Sequence, residues 1–443
     1  MKYFLTNALI VITFMSATAQ QKWTLRECID YAVEHNINIQ QQKLVIENSE
    51  VNLSTSRNSR LPNLNAGASQ NVNFGRSPSM ATGIYEDNKS SSTGFSLSSS
   101  VPVFNGMRIT NSIKSDELNL MAATEGLNKA KDDISVNISL YYMEALFKKE
   151  ILKVRKEQCE LTAKQVERTS VMVAAGSVPH SQLLDIKAQF ANDELMVITA
   201  TNDLSLSLLN LMQLLNLMDA ENFDITEPDV NVDIQNHIVS PSARIYETAV
   251  GIRPHIREAQ YRLESSETGI KIAQSYYYPS VSLGFSYNNG FNHVFDDNYT
   301  NTSVSTQLKN NQREAIGLNL NIPIFNRMQT RNQVQSARIN MMNRDLELQN
   351  VKLALQKEIQ QAYLSATTAQ TKYSATENVL AASQESFTSV EERYELGKAT
   401  VLELVEAQTK LSSSRSEQLQ AKYEFLFRKK ILDLYEGKEI GNE

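Results

Sequence analysis

The sequence predicts an α+β fold used twice along one chain, a hairpin of long strands followed by a hairpin of very long helices and then the same again. Three observations predict it. First, landmarks recur at a fixed offset. Val101-Pro102-Val103-Phe104-Asn105 returns as Ile322-Pro323-Ile324-Phe325-Asn326, Tyr142 as Tyr363, and Ala175-Gly176-Ser177 as Leu396-Gly397-Lys398, each displaced by 221 (323 − 102, 363 − 142, 397 − 176). Leu61-Pro62 returns as Tyr278-Pro279 at 217 (279 − 62), so the second half carries four more residues between its first and second landmarks. Second, four segments alternate apolar and polar residues with period two. Third, two stretches of about 70 residues contain no proline and place apolar residues three to four apart. A repeat this long is one architectural unit used twice.

Taken in order, the chain opens with Lys2, an apolar stretch from Phe4 to Phe14, and Ala17-Thr18-Ala19. These are the n-region, h-region and small-residue cleavage site of a secretory signal over 1–19. The apolar stretch is too short for a membrane anchor. No later stretch reads as a transmembrane helix, so any entry into a membrane is expected to be through strands. Residues 23–60 read as helix, as do 243–275 before the second set of strands.

The alternation after Pro62 sets Leu64, Ala66, Ala68, Val72 and Phe74 against Asn63, Asn65, Gly67, Ser69, Asn71 and Asn73. It recurs in Phe95, Leu97, Val101 and Val103, in Val281, Leu283, Phe285 and Tyr287, and in Ile316, Leu318, Leu320, Ile322 and Ile324. Strands of about 9 to 11 residues with one apolar and one small polar face suit a transmembrane barrel. On alternation alone a sandwich strand would look the same. The connections 75–93 and 288–313 read as polar loops, rich in Ser, Asn and Asp, of the kind that face the exterior of a cell, and the four extra residues belong there. Pro62 and Pro279 open the outgoing strands; Pro102 and Pro323 close the returning ones.

From 105 to 174, and again from 326 to 395, the periodicity predicts one unbroken helix, about 100 Å long at 1.5 Å per residue. Each ends at a short turn with Gly176 or Gly397 where the chain must turn left-handed, and returns as a shorter helix. Residues 219–241 read as an acidic, irregular connector. The expected organisation is a signal (1–19), a first repeat (20–218), a connector (219–242), a second repeat (243–436) and a tail (437–443). Cys28 and Cys159 fall about 30 Å apart on this layout, beyond disulfide reach. Both read as buried small hydrophobes.

Four strands cannot close a barrel, and an open sheet edge cannot sit in lipid, so the chain must oligomerise. Two copies give eight strands, filled by side chains; three give twelve, enough for a lumen. A homotrimer also sets twelve helices, four per chain, in a tube continuing the barrel.

The doubled strand-and-helix repeat, the V-P-V-F-N and I-P-I-F-N strand ends, Arg253-Pro254, and the segment from Tyr394 to Gln408, Y-E-L-G-K-A-T-V-L-E-L-V-E-A-Q, resemble the TolC family of outer-membrane efflux proteins. The resemblance covers essentially the whole mature chain. It implies an α+β membrane channel: a homotrimer whose twelve-stranded barrel lies in outer-membrane lipid and is continued by a long periplasmic α-helical barrel. Its helical tips would meet a periplasmic adaptor fed by an inner-membrane pump. It implies that Glu403 and Glu406, matching two acidic family positions, ring the pore constriction, with Gln182 and Asp185 at the equivalent first-repeat positions.

The three-residue spacing of Glu403 and Glu406 itself places both on one helix face; six carboxylates on one axis would attract cations. A solvated acidic face gives the same pattern. In the family an arginine and a tyrosine of the second tip hold an aspartate of the first. Here Tyr394 fills the tyrosine position, while Ala399 and Gln182 replace the other two. Gly176 and Gly397 serve the turns first and adaptor docking second, with Ser177, Lys398, Thr400 and their neighbours Tyr394 and Ala399 as docking contacts.

The composition excludes other classes. A net charge of −7 with no basic block gives nucleic acid nothing to bind. The five histidines are scattered, and no catalytic constellation, metal spacing or cofactor motif occurs, so no enzyme, metal or cofactor is expected. Tyr276-Tyr277-Tyr278 reads as an interfacial girdle or plain packing. The alternative to a duct is a periplasmic coiled-coil scaffold or adaptor subunit without a pore, which would need no strands of membrane length.

Overall fold

The computed structural model describes residues 22–78, 83–217, 223–227, 234, 239–295 and 299–438; the expected signal and most of the connector lie outside the described residues. A two-residue strand β1 (Lys22–Trp23) leads into α1 (Leu25–His35) and α2 (Ile37–Asn58), then strands β2 (Asn65–Pro78) and β3 (Tyr85–Phe104). Helices α3 (Arg108–Ala174) and α4 (His180–Leu214) complete the first half, and β4 (Asp224–Ile225) follows. The second half comprises α5 (Ser242–Ile252), α6 (Pro254–Gln274), β5 (Ser280–Val294), α7 (Val304–Asn310), β6 (Arg313–Asn321), α8 (Gln329–Glu395) and α9 (Val401–Tyr435). The long helices are 67 residues each and the return helices 35 each, and both pairs start at the landmark offset (329 − 108 = 401 − 180 = 221).

The helices expected over 23–60 and 243–275 are each broken once, at Asn36 and Arg253, which take extended backbone at equivalent places in the two halves (253 − 36 = 217). Pro254 forces Arg253 out of the helical region. Asn36 does the same through its side chain, which accepts from the Asn38 N–H and donates to the Leu214 carbonyl. Such local side-chain bonds compete with the helix.

The described residues form two compact units. One (42–127 and 254–352) carries an antiparallel sheet in the order β2-β3-β5-β6. The ladder overturns the expected polar loops: β2 runs on to Pro78, β3 begins at Tyr85 and β5 reaches Val294. Backbone pairing continues beyond the apolar band, where Ser, Asn and Gly on both faces erase the alternation. The corresponding pairs Asn71↔Ser92 and Asn288↔Arg313 enclose 72–91 and 289–312, so the four extra residues lie in the second connection, with α7. β6 stops at Asn321, leaving Ile322 and Ile324 outside it. Pro102 lies within β3 at an irregularity in register, where its missing N–H is tolerated. Along β6, Ile316, Leu318 and Leu320 stand exposed on one face. Tyr276, Tyr277 and Tyr278 are exposed as well, with the Arg108 guanidinium 5.1 Å from the Tyr276 ring.

The other unit (22–41, 128–253 and 353–438) holds the two-stranded parallel sheet of β1 and β4. The Tyr142 hydroxyl, on α3, lies 2.7 Å from the Thr226 carbonyl and 3.1 Å from that of Trp23, tying this sheet to the helix. Lys149 pairs with Asp224 at 2.9 Å beside it. Arg253, 8 % exposed, pairs with Asp132 at 2.9 Å.

Cys28 and Cys159 are both free; Cys28 is fully buried but Cys159 only partly, since its helix face is half open. Burial, and then the neighbouring Glu27 carboxylate, pushes the Cys28 thiol up to about 12.

One expectation about membranes is corrected. By length and composition α4 is apolar enough to cross one. Interleaved Ser, Thr and Asn hide the run from a reading that seeks unbroken apolar residues. Only 17 % of the stretch is buried, and Leu195, Ile198, Leu206 and Leu209 are exposed on it.

Candidate functional site

Both helix hairpins end in the same backbone motif. The Gly176 N–H donates to Val173 and the Ser177 N–H to Met172; Gly397 and Lys398 donate equivalently to Tyr394 and Arg393. These paired bonds satisfy the last carbonyls of each long helix and require a left-handed residue. Gly176 (φ 70°) and Gly397 (φ 67°) supply it. Both glycines are exposed, as are Ser177, Lys398 and Thr400, so the turns present backbone and small side chains outward.

The return helices start differently. Thr400 caps α9, its hydroxyl accepting from the Glu403 N–H at 3.2 Å. Pro179 holds the equivalent place before α4 and offers no side-chain cap. Val401, Leu404, Tyr394 and Phe387 bury against Leu183 and Ile186, with Ala399 packed on the same cluster. The opposite face of α9 is left outward, and Glu403 and Glu406 lie on it; Asp185 is exposed on α4 and Gln182 half-buried.

Arg393 reaches Glu403 at 3.2 Å, so one of the two outward carboxylates is paired. Among the described residues no hydrogen bond or ion pair joins Glu403 or Glu406 to Gln182 or Asp185. Tyr394 does not reach Gln182 either. It is 6 % exposed, and its hydroxyl lies 3.1 Å from the Thr169 hydroxyl on α3. One residue away Arg168 pairs with Glu395 at 2.7 Å. Partial burial, and then the Glu395 carboxylate four residues on, raise the pKa of Glu391, opposed by Arg168.

The sequence reading missed Arg168, Thr169 and Arg393. It also missed a buried polar chain farther from the turn. Gln408 donates to the Thr162 hydroxyl at 3.0 Å, Thr162 to Asp193 at 2.6 Å, and Gln189 to the other Asp193 oxygen at 2.8 Å. A repeat search could not find these groups, because their counterparts in the other half differ in type. The one available signal was a lone Asp at a position where periodicity calls for burial.

With this geometry in hand, the sequence profile described as "Outer membrane efflux protein" matches residues 28–217 and 245–432. The outer membrane efflux protein BepC of Brucella suis is 18 % identical over 93 % of this chain and 85 % of its own. The outer membrane protein TolC of Escherichia coli is 20 % identical, over 66 % of this chain and 58 % of its own. The solved structure of the Campylobacter jejuni CmeC outer membrane channel shares the fold at a TM-score of 0.75, with 18 % identity over 95 % of this chain and 87 % of that one.

Proposed function

The chain belongs to the outer membrane efflux protein family, and from that premise we propose that it is the passive exit duct of a tripartite efflux or type I secretion system. Three copies share one twelve-stranded barrel in the outer membrane, continued by a periplasmic tube of helices. A periplasmic adaptor and an inner-membrane pump engage the helical tips. The duct needs no cofactor, because directionality comes from the pump.

The observation that carries this reading is the four-stranded sheet, whose strands show one exposed apolar face and whose two edges are open. Such a sheet is stable in lipid only when copies close it. The exposed apolar face of α4 has the same explanation: a neighbouring copy covers it, and the helix does not cross a membrane. The two repeats, 20–218 and 243–436, are the units of the ring, with 219–242 as connector and 437–443 as tail.

At the tips, Gly176, Ser177, Tyr394, Gly397, Lys398, Ala399 and Thr400 form the adaptor-docking region. Glu403, Glu406, Gln182 and Asp185 line the pore constriction. Glu406 is the stronger candidate for cation attraction, since Arg393 offsets Glu403.

Envelope fractionation followed by light scattering in mild detergent tests the duct. A trimer recovered from outer membrane is expected; a soluble periplasmic monomer or dimer would overturn it. Planar-bilayer reversal potentials test the constriction. Glu406→Gln is expected to weaken cation preference more than Glu403→Gln, and unchanged selectivity in the double variant removes both from the pore.

A further inference from the structure

Among the described residues β2 pairs only with β3 and β6 only with β5, so β2 and β6 are the edges of this sheet. They run antiparallel to each other, as two edges that pair between copies must. We infer that β6 of one copy pairs with β2 of the next in a single register, residues i and j obeying i + j = 388, so that the joint between copies repeats the β3–β5 joint inside the chain. The inference rests on the shared-barrel reading and adds the register to it.

The register follows from the repeat. Inside the chain, β3 and β5 pair with a constant sum of 384 as far as Pro102, as in Ser96↔Asn288 and Leu97↔Tyr287. The equivalent of a β3 residue on β6 lies 221 later, and that of a β5 residue on β2 lies 217 earlier. The sum between copies is then 384 + 221 − 217 = 388. The breaks at Asn36 and Arg253 give the offset of 217 and the left-handed turns at Gly106 and Arg327 that of 221, and the hairpins check their sum. The β2–β3 hairpin pairs with sum 163, as in Asn65↔Ser98, and adding 217 and 221 gives 601, the sum of Ser280↔Asn321 in the β5–β6 hairpin.

Side-chain chemistry gives a second check that owes nothing to the arithmetic. In this register Ile316 faces Val72, Leu318 faces Gln70 and Leu320 faces Ala68, so the apolar faces of both edges coincide except at Gln70. Asn319 then faces Ser69, and Gly317 faces Asn71, on the small polar side. A shift by one residue would turn every side chain of one strand to the wrong face. Ile316 would stand opposite an asparagine. Only slips of two remain as competitors.

The turn after each hairpin shows where the equivalence ends. Gly106 sits so close to the preceding segment that a Cβ there would lie 2.6 Å from the Ser275 carbonyl oxygen and 3.0 Å from the Tyr278 Cβ. Its counterpart is Arg327 (106 + 221), which keeps the same left-handed backbone, φ 56° against 64°. Across the joint it would face Asn58 and Leu61 of the next copy (275 − 217, 278 − 217). An arginine cannot approach as a glycine does, so the joint between copies opens slightly at this turn while the strands keep their register.

Paired cysteines test the register in the full chain in outer membranes. Asn319→Cys with Ser69→Cys is compared with Asn319→Cys combined with Gly67→Cys or Asn71→Cys, and single variants control for native Cys159. A slip of two residues moves the thiols by about 6.6 Å along the strand, outside disulfide geometry. The expected result is a reductant-sensitive ladder of dimers and trimers from the 319/69 pair, ~10-fold stronger than from either displaced pair. A stronger ladder from a displaced pair, or no ladder in a protein that still sediments as a trimer, overturns the register and leaves the duct standing. No ladder together with monomeric sedimentation overturns the shared barrel itself.

Discussion

The two halves of the chain keep one backbone and fill it with different chemistry. Left-handed residues occur at Gly106 and Met107 and again at Arg327 and Met328, at Gly176 and Gly397, and at Asn216 and Gly437, every pair 221 apart. Cys28 and Ile245, Ala32 and Ala249, and Ile39 and Ile256 are buried in pairs 217 apart. Polar groups do not repeat in this way. Thr162 and Asp193 bridge the first hairpin with a carboxylate, whereas Ser383 and Ser414, their counterparts, bridge the second with two hydroxyls 3.0 Å apart. Tyr142 is buried and anchors β1 and β4, while Tyr363 is half-buried and makes no such contact among the described residues. Apolar burial and turn geometry accept many sequences that satisfy one shape. Polar bonds need specific partners, so they record what each half does separately.

Substitutions that make one half resemble the other probe this difference, and the turn after the strands gives the largest effect. Gly106→Ala is expected to cost about 2–3 kcal/mol from a strained left-handed residue together with the clash at Ser275, read as loss of trimer and a lowered melting temperature in detergent. Arg327→Gly should be neutral or stabilising by ~1 kcal/mol. Equal losses from both changes would mean that the second turn is as crowded as the first.

Next in size is the buried carboxylate. Asp193→Ala takes the acceptor from Gln189 and leaves the Thr162 hydroxyl only the Gln158 carbonyl of its own helix, and should cost about 2 kcal/mol, against ~1 kcal/mol for Ser414→Ala. Thermal melts of the two single variants decide it, and a larger loss at Ser414 would break the ranking. Tyr142→Phe follows at about 1–2 kcal/mol, because it removes a hydroxyl that serves buried carbonyls. Tyr363→Phe should stay within ~0.5 kcal/mol.

The smallest effect lies at the second tip, where Glu391 stands in place of Ser170. Its raised pKa means that the folded state disfavours the ionised form. The penalty is present above the folded pKa and disappears as pH falls below the ordinary carboxylate value. Glu391→Gln should therefore melt slightly higher than the natural chain at pH 7 and match it in acid. A gap that widens toward low pH would reverse the assignment.

Much of the site's frame was legible in residue order. The turn glycines announced themselves because only a left-handed residue ends a long helix so abruptly, and the shared helix face of Glu403 and Glu406 followed from their spacing. Their ionic state did not, since Arg393 finds Glu403 only after the turn brings the ends of α8 and α9 together. The extended strands were underread for a related reason: alternation reports which face is apolar, whereas the ladder is made by backbone groups that every residue carries.

By itself, then, the sequence determined the doubled architecture, the helix lengths, the turns and the parity of the strands, because periodicity and glycine placement act over a few residues. Tertiary structure alone decided the breaks' polar partners, the Asp193 chain, the Tyr394–Thr169 contact and the strand register. Each of these joins groups far apart in the chain, and a hydrogen bond exists only where folding sets two specific atoms within about 3 Å.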